Sequence, residues 1–231
     1  MQRYFVKEKD GNYFIPEQED LHHIYHVMRM KDGDEVEVVY HEKLYVGKIC
    51  QNKITVEEKL LFEENKKKIT LIVPVLKEQK MDYILQKATE LGVSSIYPFK
   101  AERSVVKTDG KDEKKIIRWR KIVKEASEQS KRVTIPEIPK IFELKELGNI
   151  EGEKIVCSTI EKEKNIKKYL TKHKNYDRIN IVVGPEGGLS LKEETFLMVS
   201  GYEPVSLGNL IMRVETVPLY ILSVISYENM E

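Results

Sequence analysis

The chain has 231 residues, 33% of them charged and 41% hydrophobic, with a formal net charge of +1. That length buries a substantial core in one large or two small domains with a polar surface. No apolar run approaches a membrane-crossing helix, no signal peptide is expected of the opening MQRYF, and Cys50 and Cys157 are too few for a disulfide framework and lack metal-ligand spacing. A reduced, cytoplasmic setting is the expectation.

Short alternating runs fill the first part of the chain, at residues 2–7, 12–15, 35–40, 43–50 and 53–59. Val36, Val38, Ile49, Ile54 and Val56 recur near period two, the pattern of strands in a small β barrel or sandwich. One helix, 17–29, interrupts them and is closed by a Lys31-Asp32-Gly33-Asp34 turn. Its His22, His23 and His26 share a helix face, but no third carboxylate or cysteine lies nearby and no metal site is expected. A barrel this small gains little from its own core, which points to use as a recognition surface. Residues 63–68, EENKKK, form a charged run without periodicity and read as a linker between domains at 1–65 and 69–231.

Beyond the linker, strands alternate with helices. Strands are expected at 69–76, 94–99, 154–160, 178–183 and 203–207, and helices at 81–91, 111–130, 141–147, 165–173, 192–199 and 217–227. Runs such as LIVPVL and INIVV suit strands buried on both faces, hence an α/β domain with a mostly parallel sheet. In the last helix Leu219, Ile221, Leu222, Val224 and Ile225 cover much of the circumference, which fits core or a dimer face.

The near-zero charge conceals an asymmetry. Residues 100–132 hold twelve Lys and Arg against six Asp and Glu, whereas 176–231 hold three against eight. A basic segment of this kind neutralises phosphates. In the 111–130 helix Ile116, Trp119, Val123 and Ala126 mark a core stripe, which leaves Lys114, Arg118 and Lys121 to meet solvent or RNA.

The most informative segments come last. INIVVGPEGGLS is a buried strand running into a glycine-rich turn, and SLGNLIMRVETVPLYILSVIS is a short strand, a Leu207-Gly208 turn and a loop leading into an apolar helix. Paired glycine-bearing loops after strands of one α/β sheet are where such folds bind small ligands. Ser190 and Glu193 have the spacing of a capping box that starts the next helix. A dinucleotide-binding G-x-G-x-x-G is absent, because Glu186 stands at its second glycine, and no G-K-[ST] follows to make a P-loop.

GPEGGLS followed by LG-x-x-I-x-R-x-ET closely resembles the cofactor-binding loops of the SPOUT class of S-adenosylmethionine-dependent RNA methyltransferases. Within that class the sequence is most similar to the RsmE family, the 16S rRNA (uracil-N3)-methyltransferases. The similarity extends to ELGVSSIYPFKAERSVVK, KEASEQSKR and HHIYHVMRMKDGDEV, and so spans essentially the whole chain. Departures are modest: Asn209-Leu210 replaces the usual arginine after LG, and Val217-Pro218 follows the threonine. Pro218 suits the first turn of a helix.

The resemblance implies a PUA-like RNA-binding domain at 1–65 and a trefoil-knotted, homodimeric α/β domain at 69–231, with the knot built from about residues 183 to 226. It implies S-adenosylmethionine held mainly by backbone at Ser158, Thr159, Gly184, Pro185, Glu186, Gly187, Gly188 and Leu189, and at Leu207, Gly208, Ile211, Met212, Arg213 and Thr216. RNA contacts are expected at Arg3, His23, Arg29, Arg103, Lys114, Arg118, Lys121, Gln129 and Arg132. The implied partner is 16S rRNA in the assembled small subunit, with no DNA and no membrane.

Methylation of uracil N3 needs an unpaired or flipped base, loss of the N3 proton and stabilisation of a uracil anion at O2 and O4. Arg103, Arg132 and Arg213 are the candidate cations. Glu128, Glu186 and Glu215 are the carboxylates available as base, since no histidine lies in the cofactor motifs, and Arg103, Arg213 and Glu215 form the expected catalytic set. Proton loss to solvent, aided by arginine, is the other route. Two further functions stand beside this one. The first is a SPOUT methyltransferase for another rRNA or tRNA nucleotide, disfavoured by the KEASEQSKR and HHIYHVMRMKDGD matches. The second is an RNA-binding assembly factor with an inactive cofactor site, disfavoured by intact GPEGG and RVET.

Overall fold

The computed structural model describes residues 1–62, 67–106 and 112–229. Residues 63–66 of the expected linker, and Lys107 and Lys111 at the ends of two expected segments, lie outside them. The chain divides into two compact units, Met1–Glu64 with Lys124–Ile135, and Asn65–Val123 with Pro136–Glu231.

The first unit is a sheet of short strands in the order β1-β4-β5-β6-β3-β2, with β7 also paired to β5. These are β1 (Arg3–Phe5), β2 (Glu8–Asp10), β3 (Tyr13–Ile15), β4 (Glu35–Tyr40), β5 (Lys43–Cys50), β6 (Lys53–Thr55) and β7 (Glu58–Leu60). Only β1 and β4 pair in parallel. Tyr4, Phe14, Ile24, Val36, Val38, Ile49 and Ile54 meet in its core, as period-two alternation requires. The expected helix starts as α1 (Gln18–His22) and widens into a π-helical turn, His23–Val27, where Met28 N–H reaches back five residues to His23 O at 2.8 Å. The His23 ring shares a 3.0 Å hydrogen bond with the buried Tyr4 hydroxyl, which ties this turn to β1. From the 124–135 segment, Val133 packs with Val39 and Leu44.

The second unit is an α/β domain on a wholly parallel sheet of order β12-β10-β11-β8-β9. Its strands are β8 (Lys68–Pro74), β9 (Ser95–Phe99), β10 (Glu153–Cys157), β11 (Arg178–Val182) and β12 (Glu203–Val205). The helices are α2 (Glu78–Glu90), α3 (Asp112–Gln129, whose residues from Lys124 on cluster with the first unit), α4 (Leu144–Leu147), α5 (Ile166–Lys172), α6 (Leu191–Val199) and α7 (Thr216–Glu228). Leu71, Ile72, Ile155, Ile179, Ile181 and Val182 are all buried, consistent with strands covered on both faces. The helix expected at 141–147 is reduced to α4, because Phe142 is engaged as extended backbone by Pro98 and Lys100 at the end of β9. Pro218 is buried in the first turn of α7, where a missing N–H costs nothing. Among the described residues no helix is long and apolar enough to cross a membrane.

Candidate active site

In a parallel sheet all strands end on one edge, and residues that follow the carboxyl ends of all five strands line one cavity of about 660 Å³. β10 supplies Cys157, Ser158, Thr159, Ile160 and Lys162; β11 supplies the Val183 to Leu189 loop; β12 supplies Leu207 to Val214. Arg103 comes from the loop after β9, and Lys80 from α2 after β8. Its position at the carboxyl edge is where open α/β sheets take ligands, and its volume suits a small organic molecule. Every residue expected at the cofactor lines this cavity except Thr216, which sits in an adjoining concavity with Glu215, Lys80, Tyr83 and Leu219.

Local chemistry explains how the loops hold their shape. Leu189 drops into the core beside Ile72, Val182 and Leu197, and Gly188 N–H closes the turn on Pro185 O at 2.9 Å. Ser190 and Glu193 form the capping box of α6, with Ser190 N–H donating to the Glu193 carboxylate at 2.7 Å. The other Glu193 oxygen accepts from Glu102 N–H, also at 2.7 Å. This fixes the neighbouring Arg103, whose guanidinium donates to Gly187 O at 3.1 Å and Leu189 O at 3.4 Å. A side chain at position 187 would place its Cβ 3.3 Å from Arg103 Cβ, so Arg103 would have to give way by a few tenths of an ångström. Gly208 turns the second loop at φ +121°, a conformation that side chains rarely adopt.

Charge at the site is organised by Lys80, a residue the sequence reading does not single out. Its ammonium lies 3.1 Å from Glu186 and 3.2 Å from Glu215, and so bridges the glycine loop to the start of α7. The Glu215 carboxyl is held below the usual range by its own backbone N–H, with Lys80 adding to the effect. The Lys80 ammonium is raised in turn by its bonds to Glu186 and Glu215. A carboxylate held ionised in this way is a weak proton acceptor. Arg213 is exposed at the rim, its carbonyl accepting from Thr216 and Val217 N–H groups at 2.8 and 3.2 Å. Glu194 is raised by burial, against the opposing pull of Arg103. Burial pushes the Cys157 thiol up to about 12, leaving it a neutral part of the wall.

Of the residues expected to meet RNA, Arg29, Arg103, Lys114, Arg118, Lys121 and Gln129 are exposed. Several of the expected residues are engaged within the chain. Arg3 is 4% exposed and bonds Glu37 at 3.0 Å and Arg132 O at 3.1 Å, and Arg132 is 7% exposed with Thr134 at 3.0 Å. Arg118 makes a forked ion pair with Asp82 and a 3.0 Å contact with Glu78. His23 is taken up by Tyr4. Glu128 belongs to the first unit, with Asp20, Lys124 and Tyr4 around it, and is not among the cavity's lining residues. His22 and His26 set their rings 4.9 Å apart, tilted at 33°.

Two families match the chain: the RNA methyltransferase domain over residues 63–226 and the RNA methyltransferase PUA domain over residues 15–58. The ribosomal RNA small subunit methyltransferase E of Bacillus subtilis is 34% identical over 99% of this chain and 97% of its own length. The enzyme of that name from Mesomycoplasma hyopneumoniae is 32% identical over 96% of this chain and 98% of its own. The chain belongs to the ribosomal RNA small subunit methyltransferase E family. The crystal structure of the Neisseria gonorrhoeae member bound to S-adenosylmethionine is similar at a TM-score of 0.87, with 26% identity and coverage of 98% and 97% of the two chains. The mixed α/β architecture, with an N-terminal PUA domain and a C-terminal parallel sheet, is therefore the family's own.

The cavity suits a cationic, amphipathic cofactor of the kind that family uses. Gly184 and Gly187 put bare backbone in the lining, Ile160, Leu189 and Val217 make apolar wall, and Glu186 and Glu194 present carboxylates.

Proposed function

We propose that this chain transfers a methyl group from S-adenosylmethionine to N3 of a uridine in 16S rRNA of the small ribosomal subunit. The observation that carries this reading is the meeting of GPEGGLS and LGNLIMRVET at one cavity, in a chain related over nearly its full length to small-subunit methyltransferases. S-adenosylmethionine, when bound, supplies an electrophilic methyl group. The chain's own part is to hold it, admit the base and govern charge. The backbone of the 184–189 and 207–213 loops with Ser158 and Thr159 would hold it, and Thr216 would support the second loop from the adjoining concavity.

Arg103 and Arg213 sit at the cavity with guanidinium donors available to O2 or O4 of a flipped uracil, by oxyanion-hole logic. Glu215, with a depressed pKa and a lysine partner, favours the route in which the N3 proton leaves to solvent while arginine stabilises the anion. We also read the 183–226 segment as the trefoil knot, and α7 as part of a homodimer face. Tyr220 and Tyr227 on α7 are 40% and 72% exposed although Ile221, Leu222 and Ile225 are buried, which supports that double role. In this reading residues 1–65 recognise RNA, residues 69–231 carry cofactor binding, catalysis and dimerisation, and the enzyme works in the cytoplasm on assembled subunits.

The test is methyl transfer from labelled S-adenosylmethionine to small subunits from cells lacking the protein, with the product mapped by mass spectrometry. A 3-methyluridine at one 16S position is expected, with turnover lost in Arg103→Ala. Absence of transfer to any small-subunit RNA would overturn the reading.

A further inference from the structure

Residues 161–174, EKEKNIKKYLTKHK, carry six lysines against two glutamates in a chain whose net charge is only +1. Their fold exposes this charge. Asn165 caps α5 by accepting from Lys168 N–H at 2.9 Å, and Ile166, Tyr169 and Leu170 face the core. Lys167, Lys168 and Lys172 are therefore left in solvent, with Lys174 just beyond the helix. Lys164 reaches Glu203 at 3.6 Å, and the Lys168 ammonium donates to Glu163 O. Among the described residues Lys167, Lys168, Lys172 and Lys174 have no acidic side chain within ion-pair distance. Arg118, in contrast, is neutralised by Asp82 and Glu78.

This basic face is built into the rim of the cavity. Ser206 N–H donates to Lys164 O at 2.8 Å and Ile166 N–H to Ser206 O at 3.0 Å, so the start of α5 is locked to the residue before the Leu207-Gly208 loop. Lys162 lines the cavity itself, its ammonium on Thr159 O at 3.0 Å. A positive track thus runs from the cavity mouth along one exposed helix face. Such a surface fits a polyanion backbone.

We propose that the exposed face of α5 is an RNA-backbone site that holds phosphates flanking the nucleotide presented to the cavity. The proposal rests on the RNA-methyltransferase reading and adds to it a surface outside the PUA domain and α3. The test is full-length protein with Lys167→Ala, Lys168→Ala and Lys172→Ala combined, titrated with a 16S rRNA fragment across a range of salt. For single-stranded RNA each lost phosphate contact lowers the slope of log K against log salt by about 0.7, so a drop of roughly two is expected, with affinity about tenfold weaker at physiological salt. S-adenosylmethionine affinity should stay unchanged, and methyl transfer should show a raised KM for RNA at an unaltered kcat. Wild-type slope, affinity and KM in the triple variant would overturn the proposal while leaving the RNA reading intact. A wild-type protein that neither binds nor methylates the RNA would overturn both. An unchanged RNA slope with lost binding to an acidic protein would reassign the face to that partner.

Discussion

The Glu193 carboxylate accepts a hydrogen bond from the backbone N–H of Glu102, 91 residues away, at 2.7 Å. Its other oxygen takes the N–H of Ser190. One buried side chain thus caps α6 and joins the loop carrying Arg103 to the loop carrying the glycines. Removing it leaves a buried donor at Ser190 and a part-buried one at Glu102 unpaired, and such donors are expensive to orphan. Glu193→Ala should lower stability by about 2 to 3 kcal/mol in denaturant unfolding. It should also weaken S-adenosylmethionine binding, because the two loops lose their common tie. Glu193→Gln, which keeps acceptor capacity on one atom only, should fall between. A Glu193→Ala protein with wild-type cofactor affinity would show that the two loops hold their relative position without this carboxylate.

Lys80 joins a different pair of loops. With one ammonium between Glu186 and Glu215, its loss sets two carboxylates near one another without a counter-charge. Lys80→Met should weaken cofactor binding, and Lys80→Arg should restore most of it. Because the lysine is partly solvated, the effect should stay within about tenfold. High salt should narrow the gap between wild type and Lys80→Met, as screening predicts for an exposed charge network. Isothermal titration at low and high salt measures this directly.

At Gly187 the added Cβ of alanine would press on Arg103 Cβ at 3.3 Å, and valine would carry further methyl groups into the same space. The loop is exposed, so stability should change by less than about 1 kcal/mol. S-adenosylmethionine affinity should fall at least tenfold for Gly187→Ala and be lost for Gly187→Val. Calorimetry with undiminished affinity would contradict the placement of the cofactor against this glycine.

Much of this was legible in the sequence, for reasons that separate local from nonlocal physics. The alternation of Val36 and Val38, the apolar run before Gly184 and the Ser190-Glu193 spacing are local patterns, and each forms the element it implies. The two glycine loops could be paired because both follow strands of one parallel sheet. Lys80 could not be chosen from its surroundings, since its partner Glu186 is 106 residues away and a lysine in an amphipathic helix ordinarily faces solvent. A carboxylate set between Pro185 and Gly187 in a ligand loop is the one signal that a cation must come from elsewhere. The inward course of Arg3 and Arg132 was equally hidden, because burial of an arginine is decided by partners such as Glu37 that only the fold supplies. Residues 124–135 clustering with the first unit is a third case. Val133 packs on Val39 and Leu44, so a cut near residue 63 would expose it, and single substitutions test the domain roles more cleanly than truncation.

Acid titration should report on the first unit through Glu128. Burial raises its carboxyl to about 7; Lys124 opposes the shift, Asp20 adds to it, and the Phe5 N–H bond opposes it. Lys124 spends its short contact on Asp20 at 2.6 Å and stands 3.7 Å from Glu128, too far to neutralise it fully. The Tyr4 hydroxyl is itself raised beyond the ordinary tyrosine range, by burial first and then by Glu128 and Asp20. The folded chain therefore holds a proton on Glu128 that the unfolded chain releases near pH 4.5, its ordinary value. Stability from this group is complete below about 4.5 and declines as pH rises to about 7, by up to roughly 3 kcal/mol. Glu128→Gln mimics the protonated form and should remove that decline, making the variant the more stable protein at pH 8. Denaturant unfolding of both proteins between pH 5 and 8 decides it: parallel curves would mean that Glu128 ionises in the folded state as readily as in the unfolded one.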